Sequence, residues 1–352
     1  MILSDITFKR LSGSIAATRF PLVLTILFLH AYTCAQVTGH ETYGRVLYPI
    51  ALWLGETGVP VYFFISGLLL FYSTKTYVQQ LTRRAETLLM PYLFWNSLVM
   101  VGYLAVFVIG HEVLIAGKSI AQYTLTDWLR AFWDRGRWDG GNGMPAMISL
   151  WYVRDLMIMY ILSPLLYAVI RTTKLLLPLV CCYFWVTEHN IALTWQCMTM
   201  FSLGAFFPID DINPIDLLTE HKLDIAGFFV LFGAADIICH EWFPTPFNAE
   251  IHRLSLITNT FFWLRLGLFL HNRGIYFTKL SETAFFIYCS HFPIMLAICS
   301  LLPKGDDVSD GALIVYYFLS VIITVAICLG LYWAAHRYLP LLLRVATGNR
   351  VR

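Results

Sequence analysis

An arginine and a histidine, two residue types that hydrocarbon disfavours, occur eleven positions apart in the first long apolar segment. A helix places Arg19 and His30 on one stripe, about 16 Å apart along its axis. Because an arginine near mid-membrane costs at least about 2.5–3.5 kcal/mol, we expect both to be enclosed and to line a site inside a bundle. A histidine there supplies a base, and an arginine grips anions. The alternative, a headgroup-facing Arg19 and a hydrogen-bonded core His30, stays open.

Further polar groups lie inside other apolar segments. Trp151 and Asp155 are four residues apart and share a helix face, whereas Arg154 points about 100° away from Asp155. We therefore expect these charged neighbours to find partners on other helices rather than to neutralise each other. Tyr288 and His291 share a face at a three-residue step. Each such residue is consistent with a functional site or with a structural hydrogen bond between helices.

The sequence disfavours other classes of chemistry. Two other apolar segments contain the i, i+4 pair of Asp236 and His240 and the single Arg265, which add no further motif. The chain has no phosphate-binding loop, Gly-x-Ser-x-Gly elbow or His-Glu-x-x-His helix, which argues against a serine hydrolase or a metalloenzyme. None of its eight cysteines has CxxC spacing, so neither a disulfide framework nor a metal site is indicated.

The composition predicts an all-α polytopic membrane protein, with residues 1–352 forming a single domain. Hydrophobic residues make up 58%, charged residues make up 13%, and the mean hydropathy is +0.67. The net charge of +2 offers no basic surface for nucleic acid. Ten spanning segments are predicted, at 14–37, 49–72, 88–109, 148–170, 175–188, 191–208, 223–240, 254–271, 281–302 and 312–336.

The distribution of basic residues predicts that both termini are cytoplasmic. With ten spans, cytoplasmic segments hold fourteen Lys and Arg residues and external segments hold seven, as the positive-inside rule requires. The fifth and sixth segments, separated only by 188–190, also read as one long helix. That reading would place the basic 271–279 loop and the basic tail outside, so we favour ten spans.

The longest predicted external loop covers residues 110–147. It carries Trp128, Trp133, Trp138 and the run Asp139–Gly143. Loops of this length usually serve as lids or binding segments. Its tryptophans suit either stacking on sugar rings or anchoring at the membrane interface, and the sequence leaves both open.

Four blocks of sequence, in order, resemble a known family. They are Arg19 with His30, Val59-Pro-Val-Tyr-Phe-Phe-Ile-Ser-Gly67 followed by Arg83-Arg-Ala-Glu-Thr-Leu-Leu-Met-Pro-Tyr-Leu-Phe-Trp95, Leu150-Trp-Tyr-Val-Arg-Asp-Leu156, and the run from Ser281 to His291. Together they resemble membrane acyltransferase family 3, particularly its fucose/sugar O-acetylase-like branch, over about residues 14–337.

The resemblance implies an O-acyltransferase of the bacterial inner membrane. The implied donor is acetyl-CoA or another acyl-CoA, and the implied acceptor is a sugar hydroxyl of a polysaccharide, lipopolysaccharide or glycolipid. It also implies that Arg83 and Arg84 bind the donor phosphates, although Glu86 and Leu88 stand where the family pattern has a second basic residue.

Acyl transfer to an alcohol gives each candidate residue a role. It needs a base with a pKa near 7 and a group that stabilises the developing oxyanion. His30 is the candidate base or transient acyl acceptor, and Arg19 is the candidate grip on the donor. The candidates for orienting the acceptor or the base are Trp151, Arg154, Asp155, Tyr288 and His291.

A transporter of acylated or acidic small molecules is the competing interpretation. Buried Arg, Asp and His residues suit a proton-coupled carrier equally well. The chain shows neither an internal repeat nor an obvious pair of broken helices, and this argues against it. A purely structural scaffold leaves the charges within apolar segments unexplained.

Overall fold

The computed structural model describes residues 5–35, 43–115, 117–134, 143–187, 193–303 and 308–350. This part of the chain is helical, which confirms the predicted all-α class. Its helices are α1 (Asp5–Ala35), α2 (Tyr48–Gly55), α3 (Gly58–Phe71), α4 (Tyr77–Arg84), α5 (Met90–Val108), α6 (Leu125–Arg130), α7 (Trp151–Thr173), α8 (Leu176–Thr187), α9 (Leu193–Ile209), α10 (Pro214–Glu220), α11 (Lys222–Glu241), α12 (Asn248–Asn272), α13 (Thr278–Leu301), α14 (Asp310–Tyr338) and α15 (Pro340–Thr347). One short hairpin pairs β1 (Leu114–Ile115) with β2 (Lys118–Ser119).

Six stretches in the described ranges are long and apolar enough to cross a membrane. They are Thr7–Tyr32, Gly44–Phe71, Tyr77–Val108, Lys222–Glu241, Thr278–Leu301 and Asp310–Tyr338. The bent α7 adds a seventh if its two halves form one span. The other predicted spans are also helices, but α8 has 12 residues, α9 has 17, and α12 lacks a sufficiently apolar window. Ten spans with cytoplasmic termini therefore stay a prediction.

Helix α1 lies at the centre of the bundle. It packs against α2, α12, α13 and α14, and Leu22, Leu27 and Ala31 on its buried faces have no exposed surface. In a membrane such enclosed side chains stabilise a bundle through van der Waals packing between the helices. The helix that carries Arg19 and His30 is thus held on several sides.

Two glycines bring α3 and α9 into close contact. A Cβ on Gly67 would lie 2.1 Å from the main-chain oxygen of Phe201, and one on Gly204 would lie 2.0 Å from that of Phe64. Only glycine permits this approach, because any larger residue would separate the helices.

Helix α7 bends by 69° between Ile148–Ile161 and Ser163–Thr173. Pro164 causes the bend because it lacks the N–H that would pair with the carbonyl of Tyr160. The Ser163 hydroxyl donates to that carbonyl instead, at 2.8 Å, and Tyr77 of α4 donates to the carbonyl of Ile161 at 2.9 Å. A broken helix therefore exists where the sequence suggested none, and it docks α4 beside Tyr160.

The described parts of the 110–147 loop form a small folded unit. A second hydrophobic core packs loop residues against α5, and it contains Met100, Val113, Ile115, Ile120, Ala131 and Ala146. Trp128 packs edge-on against Tyr123 at a centroid distance of 5.4 Å. Asp127 accepts hydrogen bonds from Lys118 and Thr124, and these hold the pKa of its carboxyl well below the usual range.

Of the two remaining loop tryptophans, only Trp133 lies in the described residues. Trp133 is 54% exposed, so both sugar stacking and interface anchoring stay open for it. Trp138 and residues 139–142 lie outside the described residues.

Candidate active site

His30 on α1 lies beside His291 on α13. The ring centroids are 5.2 Å apart with the planes at 35°, and Phe292 packs edge-on against His30 at the same centroid distance. His291 has no exposed surface, whereas His30 stays partly exposed. His30 is therefore the histidine that a substrate can reach, and His291 stands behind it.

Main-chain carbonyls fix the proton position on His291. Its Nδ1 lies 2.7 Å from the carbonyl oxygen of Tyr288 and 3.1 Å from that of Ile287. A carbonyl oxygen only accepts, so Nδ1 carries the hydrogen and Nε2 keeps its lone pair. Within the described residues this buried Nε2 has no hydrogen-bond partner. Such an orphan costs about 1–3 kcal/mol, which makes a functional role for this acceptor the better explanation.

A chain of aromatic rings connects the histidines to Arg19. Tyr288 lies 6.1 Å from the His291 ring, Tyr152 lies 6.0 Å from Tyr288, and Tyr62 lies 6.2 Å from Tyr152, all between centroids. The Tyr62 hydroxyl donates to the main-chain oxygen of Arg19 at 2.8 Å. Three helices thus contribute one lining that runs along the Arg19–His30 stripe.

Two of the predicted orienting residues belong to this lining in different ways. The Tyr288 hydroxyl donates to the main-chain oxygen of Ser149, so it is committed to holding the start of α7. Trp151 packs against Phe63 at a centroid distance of 6.2 Å and stays partly exposed. Of the two, Trp151 is the side chain with surface left for a ligand.

The side chain of Arg19 is exposed, so the prediction that the pair is enclosed is wrong for this member. Its position explains the difference, because the eleven-residue step places it about 16 Å along α1 from His30, at the far end of the aromatic lining. An accessible guanidinium suits the binding of an anion.

The two predicted donor-binding arginines diverge. Arg84 is half-buried, with its guanidinium carbon 4.3 Å from the ring centroid of Tyr160. Arg83 and Glu86 are both exposed. Arg84, and not its neighbour, is therefore packed inward against α7.

Sequence reasoning missed a third arginine. The guanidinium carbon of Arg350 lies 3.6 Å from the ring centroid of Phe285 on α13, one turn before Cys289 on the same helix. Arg350 interacts electrostatically with both Arg84 and Arg19. Arg350 lies just beyond α15, and nothing in the sequence around it indicated that it would contact α13.

The expectation that Arg154 and Asp155 do not neutralise each other is wrong. Nε of Arg154 donates to Asp155 at 2.8 Å, because the long side chain folds back along the helix although the Cβ atoms diverge. Nη1 also donates to the carbonyls of Trp133 at 2.7 Å and Gly143 at 2.6 Å. This buried pair clamps two parts of the long loop to α7, which places both residues in a supporting rather than a substrate-contacting position.

Asp236 and His240, which are four residues apart on α11, have different partners. Asp236 lies 2.8 Å from Nδ1 of His252 and accepts from Ser255 at 2.7 Å, while Glu56 lies 3.0 Å from Nε2 of His252. The cluster joins α11 and α12 to the α2–α3 junction. Its members are far apart in sequence, so spacing alone gave no sign of it. No three His, Cys, Asp or Glu side chains in the described ranges are arranged to hold a metal ion.

Comparisons with known proteins agree with the resemblance read from the motifs. Residues 13–333 match the family model for an acyltransferase domain. The succinoglycan biosynthesis protein ExoH of Rhizobium meliloti (strain 1021) is 26% identical over 358 residues, which cover 96% of this chain and 92% of that protein. No solved structure matches the chain.

Proposed function

Because this chain belongs to acyltransferase family 3, we propose that it moves an acetyl or other short acyl group from acyl-coenzyme A to a sugar hydroxyl. The acceptor belongs to a polysaccharide, a lipopolysaccharide or a glycolipid, and the relative named for succinoglycan biosynthesis supports the first of these. The six apolar helices support a multi-pass location, which we place in the bacterial inner membrane.

The observation that carries the proposal is the division of the site into two ends. His30 and His291 form a basic, nucleophilic end, and Arg19 forms a cationic end about 16 Å away along one helix. Acyl-coenzyme A matches these two ends, because its phosphates and its thioester lie at opposite ends of a long arm. A donor bound along the aromatic lining presents its thioester to His30 while its phosphates stay near Arg19.

The residues then support a balanced transfer step. His30 removes the proton from the sugar hydroxyl while the oxygen attacks the thioester carbonyl. The tetrahedral intermediate collapses, the carbon–sulfur bond breaks, and the protonated His30 returns its proton to the leaving thiolate. Nε2 of His291 accepts a hydrogen bond from the protonated His30 and so stabilises its charge. Transient acylation of His30 is the alternative order of the same bond changes.

Replacing His30 with alanine tests the proposal. We expect acyl transfer to fall by about 10²–10⁴, the usual contribution of a positioned base, with coenzyme A binding retained. Labelled acetyl transfer by the purified protein is the measurement. His221→Ala is the matched control, because the His221 side chain is exposed and pairs with Asp224 at 3.1 Å. Full activity in His30→Ala would refute the assignment of the base.

A further inference from the structure

The C-terminal segment is fastened to the helical turn Ala85–Leu89, which directly follows Arg84. Trp95 of α5 donates its indole N–H to the carbonyl of Ala346 in α15, at 3.0 Å. Gly348 then adopts a left-handed conformation with φ +65°, where a Cβ would lie 2.6 Å from the Cα of Thr87. Only glycine fits this contact, so the chain direction after Gly348 is closely determined.

This fastening delivers Arg350 into the bundle. Its guanidinium stacks on Phe285 and donates to the carbonyl of Thr347 at 3.1 Å. Burial lowers the pKa of Arg350 to about 10, and the charges of Arg84 and Arg19 act in the same direction. The guanidinium therefore remains positive at neutral pH.

Arg84 and Arg350 thus lie on segments in contact, Arg19 acts on Arg350 electrostatically, and within the described ranges no carboxylate balances the three charges. No Asp or Glu of the described ranges forms an ion pair with Arg19, Arg84 or Arg350, and Glu86 on the adjoining turn is exposed. Like charges held together destabilise a fold unless an anion is bound between them. Guanidinium groups fit phosphate oxygens with paired hydrogen bonds, which makes a phosphorylated ligand the natural occupant.

We propose that Arg350 binds the phosphate groups of the acyl-coenzyme A donor together with Arg84 and Arg19, so that the C-terminal segment completes the donor site. This rests on the proposed function for the identity of the donor. Arg350 supplies in space the second cation that the chain lacks at Glu86 and Leu88. The same cluster at one end of the aromatic lining also fixes which end of the donor enters first.

Donor affinity in Arg350→Met tests the inference. Methionine keeps apolar contact with Phe285 but removes the charge, so we expect coenzyme A to bind at least about tenfold more weakly. Pantetheine, which lacks the nucleotide and its phosphates, should bind Arg350→Met as it binds the wild type. The measurement is calorimetry on the full-length protein in phosphatidylcholine nanodiscs.

Arg344→Met is the matched control, because Arg344 is exposed on α15 and its loss removes the same charge. It should bind coenzyme A within about twofold of the wild type, since exposed charges contribute little. Coenzyme A binding in Arg350→Met equal to wild type, or an equal loss of pantetheine binding, would overturn the inference while leaving the proposed function intact. A wild-type protein that does not bind coenzyme A at all would instead contradict the donor in the proposed function.

A phospholipid headgroup offers the same phosphate chemistry, and the lipid composition separates the two sources. Repeating the titrations with phosphatidylglycerol in the nanodiscs should leave the difference between wild type and Arg350→Met in place. If phosphatidylglycerol abolishes that difference, the cluster holds a headgroup and the inference is wrong.

Discussion

At the scale of single residues, His291 has one nitrogen committed and one available. Its Nδ1 is held by the main chain of α13, and its buried Nε2 has no partner in the described part of the chain. A side chain in this position can stabilise a charge on His30 but cannot itself reach a substrate, because it has no exposed surface. We therefore regard His291 as a positioning residue.

Replacing His291 with asparagine tests the roles of its two nitrogens separately. The asparagine amide can still donate to the carbonyl of Tyr288, but it offers no acceptor at the position of Nε2. We expect kcat to fall about tenfold or more, with the KM for the donor and the thermal stability close to wild type. Steady-state kinetics and a melting curve are the measurements. A rise in KM with kcat unchanged would contradict the positioning role and indicate a role in donor binding.

The sequence identified these residues better than it identified their partners. Arg19 and His30 stood out because charged and titratable groups are costly within apolar segments, whereas Arg84 was implied by the resemblance to the family. The pairing of His30 with His291, and that of Asp236 with His252, joins helices distant in sequence, so no local pattern encodes it. Arg154 was misjudged because Cβ directions do not limit a side chain with four rotatable bonds.

At the scale of elements, two devices at one end of the bundle place the basic groups. The Pro164 bend docks α4 beside Tyr160, and Arg84 stacks on that ring. The close contact of Gly348 with the turn after Arg84 brings in Arg350 from the end of the chain. A proline bend and a glycine contact, neither of which carries charge, thus determine where Arg84 and Arg350 lie.

Gly348→Ala tests whether the C-terminal contact positions Arg350. Alanine at φ +65° costs about 1–2 kcal/mol, and its Cβ would collide with the backbone of Thr87. We expect the segment to shift and coenzyme A to bind about tenfold more weakly, with pantetheine binding unchanged.

Gly330→Ala is the matched control for that substitution. Nothing lies within 4 Å of a Cβ at Gly330 in α14, so the change should leave donor binding unaltered. Wild-type affinity in Gly348→Ala would show that the contact with Thr87 is not what places Arg350.

The helices could be predicted from the sequence, whereas the bend in α7 and the contact of Gly348 with Thr87 could not. Long apolar runs predicted a helix at each of the ten proposed spans, because helices satisfy the backbone without water. The bend in α7 depended on Pro164 together with two hydroxyl groups, one of them from α4. A glycine after a terminal helix predicts a helix end, but its docking on Thr87 depends on tertiary contacts.

At the scale of the whole molecule, segments distant in sequence meet at the end of the bundle that carries Arg84. Gly348 touches the turn at Glu86 and Thr87, and Trp95 bonds to Ala346. Segments in contact outside the bilayer must lie on one side of it. We therefore expect Arg84 and the C-terminus to lie on the same side of the membrane, separated by an even number of crossings.

Reporter fusions measure this arrangement without any assay of activity. We expect fusions after residue 80, after residue 276 and at the C-terminus to read cytoplasmic, and a fusion after residue 140 to read external, because basic residues favour that orientation. Pairs of reporters that are active only inside or only outside the cell provide the internal control. A C-terminus on the opposite side from residue 80 would contradict the contact between Gly348 and Thr87. A uniformly inverted result would keep that contact but place the arginine cluster outside, where cytoplasmic acyl-coenzyme A cannot reach it.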